Sequence, residues 1–341
     1  MKNLLIQGDN LEALVYLRDK LGMKGKIDLV YIDPPFATGG EFRMDEDGRV
    51  ATISSSAKGS IAYSDKLIGE DFIRFLQERV AVIYELLSDR GSFYLHIDYK
   101  IGHYVKVMLD KIFGIENFRN DITRVKCNPK NFSRIGYGNI KDMILFYTKG
   151  KNPIWHEPKV PMTEEEIARL YSKIDKDGRR YTTVPIHAPG ETKEGRSSQK
   201  FKGNFPPPGR HWRCSVEELE KLDRQGLIEW SSKGNPRKMN YADEHLTKKL
   251  QDIWTFKDPA RPIYPTEKNH EMLDTIIKAS SDENSIVMDC FAGSGGTLVE
   301  ANLLNRRWIG VDWSETAIST IRKNFEARCA IIADDYEFIR V

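Results

Sequence analysis

The sequence predicts an α/β fold built on an open, mostly parallel sheet. Three observations carry that prediction. Short β-branched and aromatic runs alternate with segments of helical period. One such run, Ile27-Asp28-Leu29-Val30-Tyr31-Ile32, stops abruptly at Asp33-Pro34-Pro35-Phe36. A glycine-rich turn, Cys290-Phe291-Ala292-Gly293-Ser294-Gly295-Gly296-Thr297, separates a strand-like run from a helix-like one.

In chain order, Leu4 to Gln7 reads as a short strand. Gly8-Asp9-Asn10 follows as a turn whose Asp or Asn caps a helix through Leu11, Leu14, Val15 and Leu17. The run 27–32 then reads as a buried strand, which the two prolines must end because neither donates to a ladder and each restricts the residue before it. A stiff turn results at the carboxyl end of a strand, the edge where open α/β sheets place ligands. It offers the Asp33 carboxylate, the Pro34 carbonyl and the Phe36 ring, a set able to grip a planar group bearing an NH2. Asp-Pro is also a common strand-to-loop turn, so the remainder of the chain has to decide.

Residues 37–66 are rich in glycine, serine and charge without sustained period, as expected of a mobile lid or binding loop. From Asp71 the positions Phe72, Phe75, Leu76, Val80, Ile83, Leu86 and Leu87 recur at helical spacing, Gly91 reads as the stop, and Ser92 to Asp98 reads as a strand. A helix through Val105, Met108, Leu109 and Ile112 closes at Gly114, and Met143 to Tyr147 is a further strand. Texture changes from about Lys149 to Pro265, where prolines cluster and periodicity weakens. Within it, Gly195 to Val216 holds Arg196, Lys200, Lys202, Arg210 and Arg213 with His211 and no acidic residue, interleaved with Phe201, Phe205 and Trp212. Such a stretch suits phosphate contacts with base stacking, and equally a solvated linker. After Pro265 a helix through Met272 and Ile276 leads to the strand Ser285 to Asp289, the glycine turn, a helix from Leu298 to Leu304, and a strand Trp308 to Asp312.

At 341 residues the chain accommodates one large domain with an insertion, or two domains. Lysine plus arginine number 52 against 50 acidic residues, a net charge of +2, so any basic surface must be local. No run approaches the roughly 18 apolar residues of a membrane span, and no signal-peptide core is present, which predicts a cytoplasmic protein with no membrane partner. Cys127, Cys214, Cys290 and Cys329 are scattered without metal-ligand spacing, so no metal site or disulfide framework is expected.

A strand, a glycine turn, a helix and a strand ending in an acid form one nucleoside-binding unit. Glycines admit a ligand close to the backbone, and the acid accepts from ribose hydroxyls. Asp312 lies 17 residues beyond Gly295, consistent with that unit. No Lys-Ser or Lys-Thr pair follows the glycines, against a P-loop. Leu298 occupies the third glycine position of the dinucleotide fingerprint, against that reading too.

The pair Asp33-Pro34-Pro35-Phe36 and Phe291-Ala292-Gly293-Ser294-Gly295-Gly296-Thr297, in that order, resembles the S-adenosylmethionine-dependent amino-methyltransferases of DNA in their β arrangement, N6-adenine or N4-cytosine enzymes similar to type III modification methylases. The likeness extends to Gly8-Asp9-Asn10-Leu11-Glu12, to Gly91–Asp98, to Asp142–Lys149, and to Tyr264-Pro265-Thr266-Glu267-Lys268. Two departures stand out: Phe36 replaces the usual tyrosine, and Asp289-Cys290 with Gly295-Gly296-Thr297 replaces Asp-Pro with Gly-Thr-Thr. The resemblance implies a circularly permuted Rossmann-like sheet, with a catalytic half at 1–149, a target-recognition region at 150–263 and a cofactor half at 264–341. It implies a site in which Asp33, Pro34, Pro35 and Phe36 act on the target. S-adenosylmethionine would meet Asp9, Thr266, Asp289, Phe291, Gly293, Gly295, Thr297 and Asp312. Arg196, Lys200, Lys202, Arg210 and Arg213 would meet double-stranded DNA.

In that family an Asp at the first motif position goes mostly with N6 of adenine and a Ser with N4 of cytosine, so the resemblance favours adenine, with N4 of cytosine as the alternative. Dimers occur in the family, so a homodimer is an open expectation. The chain is short for a type III subunit, and a restriction endonuclease partner stays open. Methylation of a glutamine amide or an RNA base, a DNA-binding module without catalysis, and a dinucleotide-dependent oxidoreductase are the rival readings. His96 and His103 read as structural.

Overall fold

The structure is a computed structural model that describes residues 2–35, 69–128, 135–192, 195–259, 267–329 and 335–341, together with the backbone of 41–44 and 60–64. Its Cα packing divides the chain into two compact units, one of Met1–Pro158 with Gln251–Val341, the other of Lys159–Leu250.

The larger unit is a nine-stranded sheet ordered Ile253–Trp254, Phe118–Val125, Lys141–Thr148, Leu87–Ile97, Ile27–Ile32, Ile286–Asp289, Arg307–Asp312, Asn3–Gln7 and Tyr336–Arg340. From Leu87–Ile97 onward every adjacent pair is parallel, and Lys141–Thr148 runs against both its neighbours. Strand residues such as Leu29, Val30, Ile32, Phe93, Leu95, Val287 and Ile309 are fully buried, as expected where crossover helices cover a parallel sheet. The expected open parallel sheet is therefore the observed one. Strands Asn3–Gln7 and Tyr336–Arg340 pair at one edge, which brings the two ends of the sequence together there.

Three local expectations are corrected. The helix Gly69–Leu86 runs directly into the strand Leu87–Ile97, so Gly91 lies inside a strand rather than ending a helix. A Cβ on Gly91 would come 2.9 Å from the Ser88 carbonyl and 3.1 Å from that of Ile27, so what requires glycine is close strand approach. The strand Phe118–Val125 escaped notice because it reads Phe-Arg-Asn-Asp-Ile-Thr-Arg-Val. Its Arg124 is wholly buried and donates to the Phe256 carbonyl at 2.8 Å and to Asp258 at 2.5 Å, a partnership no local pattern reveals. Within the expected loop 37–66, Glu41–Met44 pairs antiparallel with Ser60–Ser64, and the expectation of a mobile lid otherwise falls outside the described residues.

The smaller unit has a four-stranded antiparallel sheet, Ile228–Trp230, Pro236–Tyr241, Arg180–Pro185 and Lys173–Ile174, and its own core of Ile186, Phe201, Trp212, Val216 and Leu219. The compact unit is narrower than the region 150–263. Ile154 N–H donates to the Arg90 carbonyl and His156 N–H to that of Ala279, and Ile253–Trp254 joins the large sheet.

Candidate active site

Parallel pairing of Leu29 with Val287 and Val30 with Met288 puts the strand that ends at Asp33 beside the strand that ends at Asp289, with Arg307–Asp312 next in order. Three carboxylates thus stand at the carboxyl ends of three neighbouring strands. Asp289 is 3% exposed and accepts from Phe291 N–H at 3.0 Å and from the Thr297 hydroxyl at 2.7 Å. Burial raises its pKa to about 7, and the nearby carboxylates of Asp33 and Asp312 push it the same way. Asp312 accepts from Gly293 N–H and Ser314 N–H, both at 2.9 Å, and burial raises it to about 6.

The glycine turn is fixed by packing as well as by these bonds. Gly295 adopts φ +80° as it caps the helix Gly296–Leu303, and a Cβ there would meet Ile321 at 2.9 Å. Ala292 N–H donates to Val311, and Asn324 holds the Ser294 carbonyl at 2.8 Å. Leu298, at the position a dinucleotide turn gives to glycine, packs onto a glycine of the next strand instead: a Cβ on Gly310 would lie 2.2 Å from Leu298 Cδ1.

Asp9 caps the first helix, its Oδ1 accepting from Leu11 N–H at 2.8 Å and Glu12 N–H at 3.2 Å. Arg79, 5% exposed, donates to Asp9 Oδ2 at 3.1 Å and to Asn10 Oδ1, and its guanidinium lies 3.6 Å from the centre of the Phe75 ring. Asn10 in turn donates to the Cys290 carbonyl at 3.3 Å, and Phe291 meets Phe75 edge-on at 6.2 Å. The amino-terminal turn and the glycine turn are therefore tied through one buried guanidinium. Sequence reasoning missed Arg79, although a charged residue standing in the apolar phase of Phe72, Phe75, Leu76, Val80 and Ile83 was the signal.

At Asp33 itself, Pro34 is buried and Pro35 half-buried, while Phe36 and Thr266 lie outside the described residues. Lys268 Nζ is 2.5 Å from Asp33 Oδ2. Asp33 Oδ1 is buried, has no hydrogen-bond partner among the described residues, and lies 3.9 Å from His96 Nδ1. His96, fully buried, meets the Tyr31 hydroxyl at 2.9 Å through Nδ1 and Asp142 at 3.3 Å through Nε2. A carboxylate can only accept, so Nε2 carries the proton and Nδ1 accepts from Tyr31. Burial holds the His96 pKa below its ordinary value. Burial would raise Asp142, but hydrogen bonds from His96 and from Lys126, at 2.6 Å, outweigh it and hold that carboxyl well below the carboxylate range. His96 thus braces the wall of the site, in keeping with a structural histidine.

In the smaller unit Arg196, Lys200, Lys202, Arg210 and Arg213 are all exposed. Lys202 pairs with Asp223 at 2.8 Å, Arg210 meets His187 Nδ1 at 3.2 Å, Arg213 donates to the His187 carbonyl at 3.3 Å, and Lys200 lies 5.0 Å from the centre of the exposed Phe205 ring. The aromatic half of the stacking expectation is corrected: Phe201 and Trp212 are buried, edge to face, in the core of that unit, which leaves Phe205 as the exposed ring of the three.

A family model for DNA methylases matches residues 27–323. The type II methyltransferase M.EcaI of Enterobacter cloacae is 39% identical over 98% of this chain and 72% of its own length. The EcoP15I Mod subunit of a type III restriction-modification enzyme from Escherichia coli is 24% identical over 90% of this chain, which spans 56% of that subunit. Two solved structures share the fold at a TM-score of 0.50. One is TTHA0409 of Thermus thermophilus in complex with S-adenosyl-L-methionine, 14% identical over 99% of this chain and 98% of that one. The other is the cytosine-N4-specific PvuII DNA methyltransferase, 13% identical over 100% and 95%.

Proposed function

The chain belongs to the DNA methylase family, and on that premise we propose that it transfers a methyl group from S-adenosylmethionine to the exocyclic N6 of a flipped adenine in double-stranded DNA. The observation that carries the reading is the juxtaposition of Asp33 with the glycine turn on paired neighbouring strands. The residues fit the cofactor. Asp33, Asp289 and Asp312 complement a ligand that carries a sulfonium and an ammonium, and the half-buried Gly293 puts no side chain between the turn's backbone and a ligand. Each Asp312 oxygen accepts one backbone N–H and keeps a lone pair for a ribose hydroxyl. Trp313, 63% exposed and one residue beyond Asp312, offers an indole face. When bound, S-adenosylmethionine supplies an electrophilic methyl group.

The target nitrogen is a poor nucleophile because its lone pair is delocalised into the base. Asp33 and the Pro34 carbonyl each accept one N–H, which draws the nitrogen toward tetrahedral geometry and frees its lone pair. As the new N–C bond formed, the methyl's bond to sulfur would break with its electrons leaving on the sulfur, and the nitrogen would then lose one N–H proton to solvent. A paired base hides its amine, so the base leaves the helix at a cost of about a few kcal/mol and stacks on Phe36. The exposed Arg196, Lys200, Lys202, Arg210 and Arg213 hold phosphates. Adenine is preferred because Asp opens the tetrapeptide and because the chain is similar to type III Mod subunits.

The test incubates the chain and Asp33→Ala with unmethylated genomic DNA and methyl-labelled S-adenosylmethionine, then analyses the nucleosides by mass spectrometry. Labelled N6-methyladenine from the native chain and none from the variant is the expected result. Labelled N4-methylcytosine would keep the chemistry and replace the base. No label in either base would refute the reading.

A further inference from the structure

We propose that Lys268 is a positioning residue for Asp33: its ammonium grips one carboxylate oxygen and holds Asp33 in a single orientation toward the target amine. The inference rests on the catalytic reading of Asp33. The two side chains are only 10% and 14% exposed, with Nζ 2.5 Å from Oδ2, so the pair is largely shielded from water and charge-assisted. Asp33 stands among like charges, with Asp289 on the adjoining strand and Asp312 on the next. The Lys268 ammonium offsets the repulsion among these carboxylates and fixes which Asp33 oxygen stays open to the amine.

The other groups around Asp33 do not do this. His96 has Nδ1 toward Tyr31 and Nε2–H toward Asp142, and it stays 3.9 Å from Oδ1. Lys268 is itself held through the two residues after it in the chain. Asn269 caps the helix His270–Ser280 by accepting from Met272 N–H at 3.0 Å and anchors to the Lys257 carbonyl at 2.9 Å. His270 pairs with Glu300 at 2.9 Å, and Glu300 with Arg328 at 2.8 Å. A lysine whose neighbours are fixed in this way can fix a carboxylate in turn.

The experiment uses the full chain as Lys268→Met and Lys268→Arg, measuring label transfer to unmethylated genomic DNA, cofactor affinity by calorimetry, and Tm. For Lys268→Met, kcat is expected to fall about 100-fold while KM and Kd for S-adenosylmethionine move by less than about threefold, and Lys268→Arg is expected to recover at least about tenfold of the loss. A Met variant with native kcat, or one whose loss follows a fall in cofactor affinity and Tm, overturns the proposal. If the native chain transfers no label, the functional reading fails separately. The pair is then read from the acetylation rate of Lys268 by an N-hydroxysuccinimide ester, followed by peptide mass spectrometry. About tenfold faster acetylation in Asp33→Asn supports Lys268 as the holder of Asp33, and an unchanged rate overturns it.

Discussion

Gly310→Ala tests how the glycine turn is held. The added methyl would stand 2.2 Å from Leu298 Cδ1, 3.2 Å from Cδ2 and 3.3 Å from Cγ, where carbon atoms rest at about 3.5–4.0 Å. Leu298 is fully buried, so it must move by more than an ångström or leave its rotamer, at a cost of about 1–3 kcal/mol. For a unit of this size that lowers Tm by roughly 2–4 °C per kcal/mol. Because Leu298 is the third residue of the helix Gly296–Leu303, which follows directly on Gly295, the strain also reaches the glycine turn. The assay is a double-mutant cycle by thermal and urea unfolding. Leu298→Ala alone costs about 2–5 kcal/mol through the cavity it leaves. In the double variant the new methyl fills part of that cavity, so the two costs sum to less than the single values by about 1 kcal/mol or more. Native stability in Gly310→Ala, or strict additivity in the double variant, would show that the contact does not exist.

Three further outcomes are expected. Asp289 has a folded pKa of about 7, above the unfolded carboxylate value, so the stability it contributes is fully present below that unfolded value and is lost as pH rises through about 7. Between pH 5 and pH 8.5 the native Tm should therefore fall relative to that of Asp289→Asn, and parallel curves would remove the argument. In the smaller unit Phe201→Ala should cost about 3–5 kcal/mol by opening its core. Lys200→Ala, on an exposed side chain, should leave Tm in place and lower the salt slope of DNA binding by about one. The reverse pattern would mean that the basic stretch is a folding element and the aromatic residues are the ligand surface.

The two turns of the site were legible in the sequence because their chemistry is local. Consecutive prolines end a strand wherever they occur, and glycines at Gly293 and Gly295 between a strand and a helix announce a close backbone approach. The separation to Asp312 added the acid that such a unit needs. The strand Phe118–Val125 was not legible, because Arg124 and Asp121 break the apolar pattern and the partners that bury Arg124, Phe256 and Asp258, lie far along the chain. Trp212 and Phe201 misled for the complementary reason: among lysines and arginines they look exposed, and only the small core of Ile186, Val216 and Leu219 accounts for them.

By itself, then, the sequence determined the open parallel sheet, the carboxylate turn after Ile32 and the glycine turn after Asp289, since each follows from steric rules that act within a few residues. Tertiary structure decided what those turns touch. Parallel pairing of Val30 with Met288 brings together segments from opposite ends of the chain, and burial along that edge shifts Asp289 and Asp312 upward. The same packing sets Lys268 on Asp33 and Arg79 on Asp9. Charge pairing and desolvation depend on distances in space, which spacing along the chain does not encode.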